Sequence, residues 1–151
     1  METWFNTEGR ILRLQGEALS WIGTPFSPNG NTKGERGGTS CQTLASEIYS
    51  AAGFGQIEVP SVMMSHARFS RESLVAEFMD ARPEFCSVST ENPPIPGDLL
   101  GFRIHKTVHH VGVCIAPGVF IHALEGIGVS KSSLHDATYS NRLERIWRPR
   151  P

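Results

Sequence analysis

The chain has 151 residues and a mass of 16.6 kDa, so we expect a single domain over residues 1–151. Its formal net charge is −1 and its sequence pI is about 6.6, which gives no electrostatic reason to expect nucleic-acid binding. Hydrophobic residues make up 39% of the chain, enough for a core, but no apolar run has the length needed to span a bilayer.

The N-terminal residues and the cysteines bear on location. The first ten residues, METWFNTEGR, lack the basic and apolar regions of a secretory signal. The three cysteines, Cys41, Cys86 and Cys114, are odd in number and widely spaced, so we expect no disulfide framework. We therefore expect a cytoplasmic protein, with delivery by a phage or by a route without a signal as the alternative.

Three helices are predicted in the first half of the chain. Apolar residues at helical spacing (Ile11, Leu14, Ala18 and Trp21) predict an amphipathic helix over residues 8–22, and the polar stretch 27–38 predicts a loop. A second helix is expected over residues 41–52, with Gly53 as its stop. A third is expected over residues 71–80, with Ser70 as N-cap and Phe69 packed on Leu74.

Strand patterns begin after Asp98. Alternating and β-branched residues predict four strands, at residues 99–104, 109–116, 119–125 and 142–149. Helices followed by an antiparallel meander predict an α+β fold, with N-terminal helices packed on a C-terminal antiparallel sheet.

Cys41 stands at the start of the second predicted helix. Thr39 and Gln42 have the spacing of a capping box, which would make Thr39 the N-cap and place Cys41 in the first turn. The positive end of a helix favours an anion, so we expect a lowered pKa for the thiol. The alternative is a buried, inert cysteine, which is how we interpret Cys86 and Cys114.

Three of the six histidines, His109, His110 and His122, lie inside apolar strands, where a polar ring needs a hydrogen-bond partner. A three-residue turn with Gly118 in the left-handed conformation pairs Ile115 with Val119 and puts His110 and His122 on one face. Gly112 then leaves room between the two rings. This register predicts His110 as base and His122 as its orienting partner, with His109 facing the other way. A two-residue turn would instead pair Ala116 with Val119 and put His110 and His122 on opposite faces of the sheet.

Other polar groups give weaker signals. The spacing of His109, His110 and Cys114 disfavours a metal site, because adjacent ligands would face opposite sides of a strand, and no cofactor is expected. We expect Asp98 to cap a turn and Glu125 to end a strand. Four arginines in the last segment are interpreted as a solvated sheet edge: Arg142, Arg145, Arg148 and Arg150.

Five segments in order resemble the NlpC-type papain-like cysteine peptidases, which are bacterial cell-wall endopeptidases and amidases with an α+β fold. They are WIGTPF, TSCQTLASEIYSAAGF, PGDLLGF, HVG and IHALEGIGV, and the resemblance runs from about residue 21 to residue 147. It implies that Cys41 is the nucleophile, His110 the base and His122 the orienting residue. The implied reaction is amide hydrolysis through a thioester, with a peptide or muropeptide as substrate.

The sequence departs from the family pattern beside the cysteine. The family often has Asp-Cys-Ser-Gly, where this chain has Ser40, Cys41, Gln42 and Thr43, and often a tyrosine where Phe26 stands. Phe26, Ser40 and Gln42 are therefore the expected substrate-binding or oxyanion positions, with an altered substrate. The alternatives are an acyltransferase or deamidase with the same triad, and a non-catalytic binding module on this fold.

Overall fold

The computed structural model describes residues 2–61 and 73–151, and within them the chain forms four helices and eight strands. The helices are α1 (Glu8–Ser20), α2 (Cys41–Ala51), α3 (Leu74–Asp80) and α4 (Ala137–Ser140). The strands are β1 (Asn31–Thr32), β2 (Gly38–Thr39), β3 (Phe85–Val88), β4 (Leu99–Ile104), β5 (Thr107–Ala116), β6 (Val119–Leu124), β7 (Gly128–Ser133) and β8 (Leu143–Pro149). This arrangement confirms the predicted α+β class.

Six strands form one antiparallel sheet in the order β3-β8-β4-β5-β6-β7. The four predicted strands are present, but only three of them, β4, β5 and β6, are consecutive neighbours as the predicted meander requires, because β7 follows β6 and β8 lies beside β4. The sequence patterns missed β3, which contains Cys86 and has only four residues, and β7, whose sequence GVSKSS is mainly polar. Strands β1 and β2, of two residues each, pair with each other. Strand β1 lies inside the predicted loop 27–38, and β2 begins at its end.

The helices begin and end close to the predicted residues. Helix α1 starts after the N-cap Thr7, and α2 ends before Gly53, whose φ of +87° is the left-handed conformation expected of a helix stop. Helix α3 starts at Leu74 after the N-cap Ser73. The predicted cap Ser70 and its neighbour Phe69 lie outside the described residues. No helix in the described ranges has the length and apolar content to cross a membrane.

Alternation along the strands divides the core between the two faces of the sheet. Helices α1 and α2 cover one face, where the predicted apolar stripe of α2 packs on Leu99, Val111 and Val113. The other face carries Phe102, Cys114 and Phe120, with residues of α4 and β8 packed against them. Cys114 is completely buried in this second cluster, as expected of a structural cysteine.

The last strand corrects one prediction. Strand β8 lies between β3 and β4, so residues 142–150 do not form a sheet edge. Arg148 is buried and donates two hydrogen bonds, of 2.9 and 2.8 Å, to the carboxylate of Asp98, which is also buried. Asp98 in addition accepts a bond of 2.9 Å from the backbone N–H of Ile95, which is the turn-capping role predicted for it. The other three arginines of the segment are exposed, as expected.

Candidate active site

Cys41 is the first residue of α2, and Ser40 rather than Thr39 is the N-cap. The hydroxyl of Ser40 accepts a hydrogen bond of 3.1 Å from the backbone N–H of Thr43. The predicted capping box is wrong because Thr39 belongs to β2, where its backbone bonds to Pro25 and Ser27. The consequence for Cys41 is small, since it remains in the first turn, at the positive end of the helix.

Cys41 is buried, with 5% of the residue exposed. Burial raises the pKa of Cys41 to about 11, so the expected lowering of the thiol pKa is wrong for this structure. Backbone hydrogen bonds from Val111, Gln42 and Cys41 itself act in the opposite direction and lower the pKa, but burial outweighs them. Cys41 is therefore a protonated thiol near pH 7, with backbone N–H groups beside it that favour the anion.

The hairpin of β5 and β6 has the predicted alignment beyond its turn. Val113 pairs with Ile121 and Cys114 with Phe120, which is the register that places His110 and His122 on one face. Gly118 has a φ of +70°, as predicted, but the turn itself differs because Ala116 pairs with Val119 and Ile115 is bulged out of the ladder.

Gly112 provides the space that this register requires. A Cβ atom at Gly112 would lie 2.7 Å from Cδ2 of Phe120 and 3.4 Å from Cβ of His122. Any larger residue would therefore push against the ring that packs on His122.

The two histidines are directly hydrogen-bonded. Nε2 of His110 lies 2.7 Å from Nδ1 of His122, and Nε2 of His122 lies 2.7 Å from Oγ of Ser132 on β7. Burial is the main cause that lowers the pKa of His110 to about 3, with the neighbouring His122 and His109 as smaller causes. Burial also lowers the pKa of His122 to about 4. Both rings are consequently neutral near pH 7, which is the form that a general base needs.

His109 does not hold the regular strand position on which the prediction that it faces away from the site depended. The pairing of β4 with β5 shifts between Phe102–His110 and Arg103–Val108, which leaves His109 as the extra residue of a bulge. A bulge interrupts the alternation of side chains, so His109 and His110 both line the same cavity. The bulged backbone is also held from α2, because the side-chain amide of Gln42 donates a bond of 2.9 Å to the carbonyl of His109.

A cavity of about 430 Å³ opens beside Cys41 and brings five of the six predicted site residues together. These are Phe26, Ser40, Cys41, Gln42 and His110, whereas His122 lies behind His110 and does not line the cavity. The wall is mainly apolar and includes Phe102, Ile104 and Tyr139.

Two charged residues of the wall, Glu125 and Arg142, were not predicted as site residues. No local pattern around these residues indicates a site, because the cavity is assembled from segments far apart in the chain. In the described ranges 2–61 and 73–151, no group of three or more His, Cys, Asp or Glu side chains is arranged to hold a metal ion.

The fold is papain-like and places Cys41 and His110 at one cavity, and comparison with known sequences gives the family. The sequence model of the NlpC/P60 family matches residues 23–148, and the chain therefore belongs to the NlpC/P60 family. No curated protein sequence matches the chain significantly.

Solved structures agree with this fold. A protein of Staphylococcus aureus described as similar to lipoprotein of the NLP/P60 family superposes with a TM-score of 0.67 at 21% identity, and the match covers 100% of this chain and 45% of that one. The NlpC/P60 domain of the peptidoglycan hydrolase SagA gives a TM-score of 0.60 at 19% identity, with coverages of 93% and 97%. The peptidoglycan hydrolase RipB of Mycobacterium tuberculosis gives a TM-score of 0.56 at 16% identity, and the match covers 97% of this chain and 67% of that one.

Proposed function

We propose that the protein is a thiol hydrolase that cleaves an amide bond in a peptidoglycan-type peptide, with Cys41 as nucleophile, His110 as base and His122 as its orienting partner. The observation that carries the proposal is that the cavity holds Cys41 together with a histidine whose other ring nitrogen is bonded to His122. Membership of the NlpC/P60 family supports the reaction class, and the peptidoglycan hydrolases among the similar structures support the substrate class.

The first half of the reaction acylates Cys41. Nε2 of His110 is bonded to His122, so Nδ1 is the nitrogen left to take the thiol proton. Because the resting thiol is protonated, its proton moves to His110 as the sulfur attacks the carbonyl carbon of the amide. The protonated His110 then gives this proton to the leaving amine, the C–N bond breaks and a thioester remains.

The second half releases the product. A water molecule attacks the thioester carbon, its proton passes to His110, and the C–S bond breaks. The sulfur regains the proton from His110, so the acid product leaves and the thiol is restored.

Backbone N–H groups support the charge that develops in both halves. The N–H groups of Cys41 and Gln42 already point at the thiol sulfur, at the end of a helix whose dipole favours an anion. We assign the oxyanion to this end of α2. Phe26 carries no hydroxyl, so its contribution in the cavity is apolar packing beside the substrate.

Ser40 and Gln42 support the site through contacts inside the protein. The hydroxyl of Ser40 caps α2 and the amide of Gln42 holds the carbonyl of His109. Their contribution is therefore to place Cys41 and the bulge of β5, and the substrate meets them at the cavity wall.

The experiment compares the unmodified protein with Cys41→Ala on a panel of muropeptides, with mass spectrometry of the products. We expect new amine and carboxyl ends from the unmodified protein and none from Cys41→Ala. The matched control is Cys86→Ser, which changes a thiol on β3 away from the cavity and should leave activity unchanged. Equal product formation by Cys41→Ala, or no product from any muropeptide, would overturn the proposal. Acyl transfer to an added amine that outran hydrolysis would favour the acyltransferase.

A further inference from the structure

A chain of two hydrogen bonds leads from the cavity to β7. It runs from Nε2 of His110 to Nδ1 of His122, and from Nε2 of His122 to Oγ of Ser132, each over 2.7 Å. His122 is completely buried, so both of its ring nitrogens have their partners inside the protein. The position of the protons along these two hydrogen bonds decides whether Nδ1 of His110 has a free lone pair.

Only one arrangement of neutral rings suits a base. A neutral imidazole has one N–H and one bare nitrogen, and its partners determine which nitrogen carries the proton. His110 needs a bare Nδ1 to take a proton, so its own proton must sit on Nε2 and be donated to Nδ1 of His122. His122 must then carry its proton on Nε2, where the hydroxyl of Ser132, at 2.7 Å, can accept it. The opposite arrangement would put a proton on Nδ1 of His110 and leave no lone pair for the thiol.

We infer that Ser132 is a positioning residue of the site: its hydroxyl accepts the Nε2–H of His122 and thereby keeps Nδ1 of His122 bare for His110. The inference rests on the proposed function, in which His110 acts as the base.

The surroundings of His122 give Ser132 this role. The ring of His122 packs edge-to-face on Phe120 and on Tyr139, with centroids 4.7 and 5.2 Å apart. These rings fix the plane of the imidazole but accept no N–H in that plane. Ser132 lies on the neighbouring strand, diagonal to His122, whose direct partner in the ladder is Ser130.

Ser130 offers a matched control. It lies on the same strand and the same face as Ser132 and is also half-buried, but its hydroxyl donates to the carbonyl of Gly128 at 3.4 Å. Replacing Ser130 by alanine therefore removes a similar hydroxyl beside His122 without touching the hydrogen-bonded chain.

The kinetic test uses Ser132→Ala, Ser132→Thr and Ser130→Ala on a cleaved muropeptide. Loss of one hydrogen bond of ordinary strength corresponds to about a tenfold change in rate. We therefore expect kcat of Ser132→Ala to fall by about tenfold with KM unchanged. Ser132→Thr keeps a hydroxyl and should restore kcat, while Ser130→Ala should match the unmodified protein. A kcat for Ser132→Ala within twofold of the unmodified protein, or the same loss in Ser130→Ala, would overturn the inference.

The second test does not depend on activity. Nitrogen-15 NMR of the histidine rings distinguishes the two neutral tautomers, and we expect Nε2–H for both His110 and His122 in the unmodified protein near pH 7. In Ser132→Ala, part of the His122 signal should move to the Nδ1–H form. Nδ1–H at His122 in the unmodified protein would contradict the role of Ser132 even if the protein is an active hydrolase. If instead no muropeptide is cleaved while the tautomers are as expected, the proposed function fails and the hydrogen-bond assignment stands.

Discussion

The two halves of the candidate site are held in place by different parts of the chain. Cys41 is positioned by backbone groups, namely the start of α2 and N–H groups that include that of Val111. His110 is positioned by side chains, because its ring is bonded to His122, which is bonded in turn to Ser132. The Cys41 end depends on few side chains, chiefly the N-cap Ser40, whereas the histidine end should respond more strongly to side-chain changes and to pH.

The largest expected effect comes from breaking the histidine end. His110→Ala should lower kcat/KM by about 10³-fold, since general acid–base catalysis contributes about 10²–10⁴-fold. The matched control is His105→Ala, an exposed histidine in the turn between β4 and β5, which should leave kcat/KM unchanged. Steady-state kinetics of both variants test this, and a loss smaller than tenfold for His110→Ala would remove it from the role of base.

Acid should weaken the histidine end and leave the backbone contacts of Cys41 intact. The pKa values of His110 and His122 are lowered to about 3 and about 4, so the unfolded chain takes up protons first as the pH falls below about 6.5. Stability is thus full above pH 6.5 and is lost as the pH falls towards 4. One such histidine lowers the free energy of unfolding by about 2 kcal/mol at pH 5.

Urea denaturation at pH 7 and pH 5 measures this loss. In the unmodified protein, the free energy of unfolding should fall between pH 7 and pH 5. In the variant His122→Asn, this fall should be smaller by about 2 kcal/mol. An identical difference in both proteins would mean that His122 is not buried in its neutral form.

The smallest expected effect comes from the contact that joins the two halves. Gln42→Ala removes the bond from α2 to the carbonyl of His109 and should reduce both the free energy of unfolding, by about 1 kcal/mol, and kcat, by about fivefold. Gln15→Ala is the matched control, because Gln15 on α1 likewise donates to a carbonyl of β5, that of Ile115, at 2.8 Å. We expect a similar loss of stability in the control and no loss of kcat. Equal kcat in the two variants would show that the α2 contact serves stability alone.

The sequence predicted the parts of the fold that depend on local patterns. The apolar stripes of α1 and α2 and the alternation in β4, β5 and β6 were sufficient to find these elements, and the predicted register beyond the turn brings His110 and His122 together, although it arises from a bulge at Ile115 and not from the predicted turn. These features depend on residues close together in the chain.

The parts that were missed depend on pairing between distant segments. The bulge at His109 arises from the match between β4 and β5, and no residue type in HHVGV signals it. Strand β7 reads GVSKSS and lacks an apolar alternation, so Ser132 had no predicted neighbour. Arg148 resembles its exposed neighbours in sequence, and only the insertion of β8 beside β4 buries it against Asp98.

The position of β8 also has a consequence for synthesis. Of the six strands of the sheet, β8 is the last in the chain, yet it lies between β3 and β4. During synthesis on the ribosome, β3 therefore cannot pair with β8 until residues 143–149 have emerged, whereas β4 to β7 can already pair with one another. Until then Asp98 has no Arg148, and its charge has to remain in water because a buried, unpaired carboxylate is costly. Burial of this ion pair thus marks the moment at which the sheet closes, and a nascent chain that stops before residue 143 lacks a complete sheet.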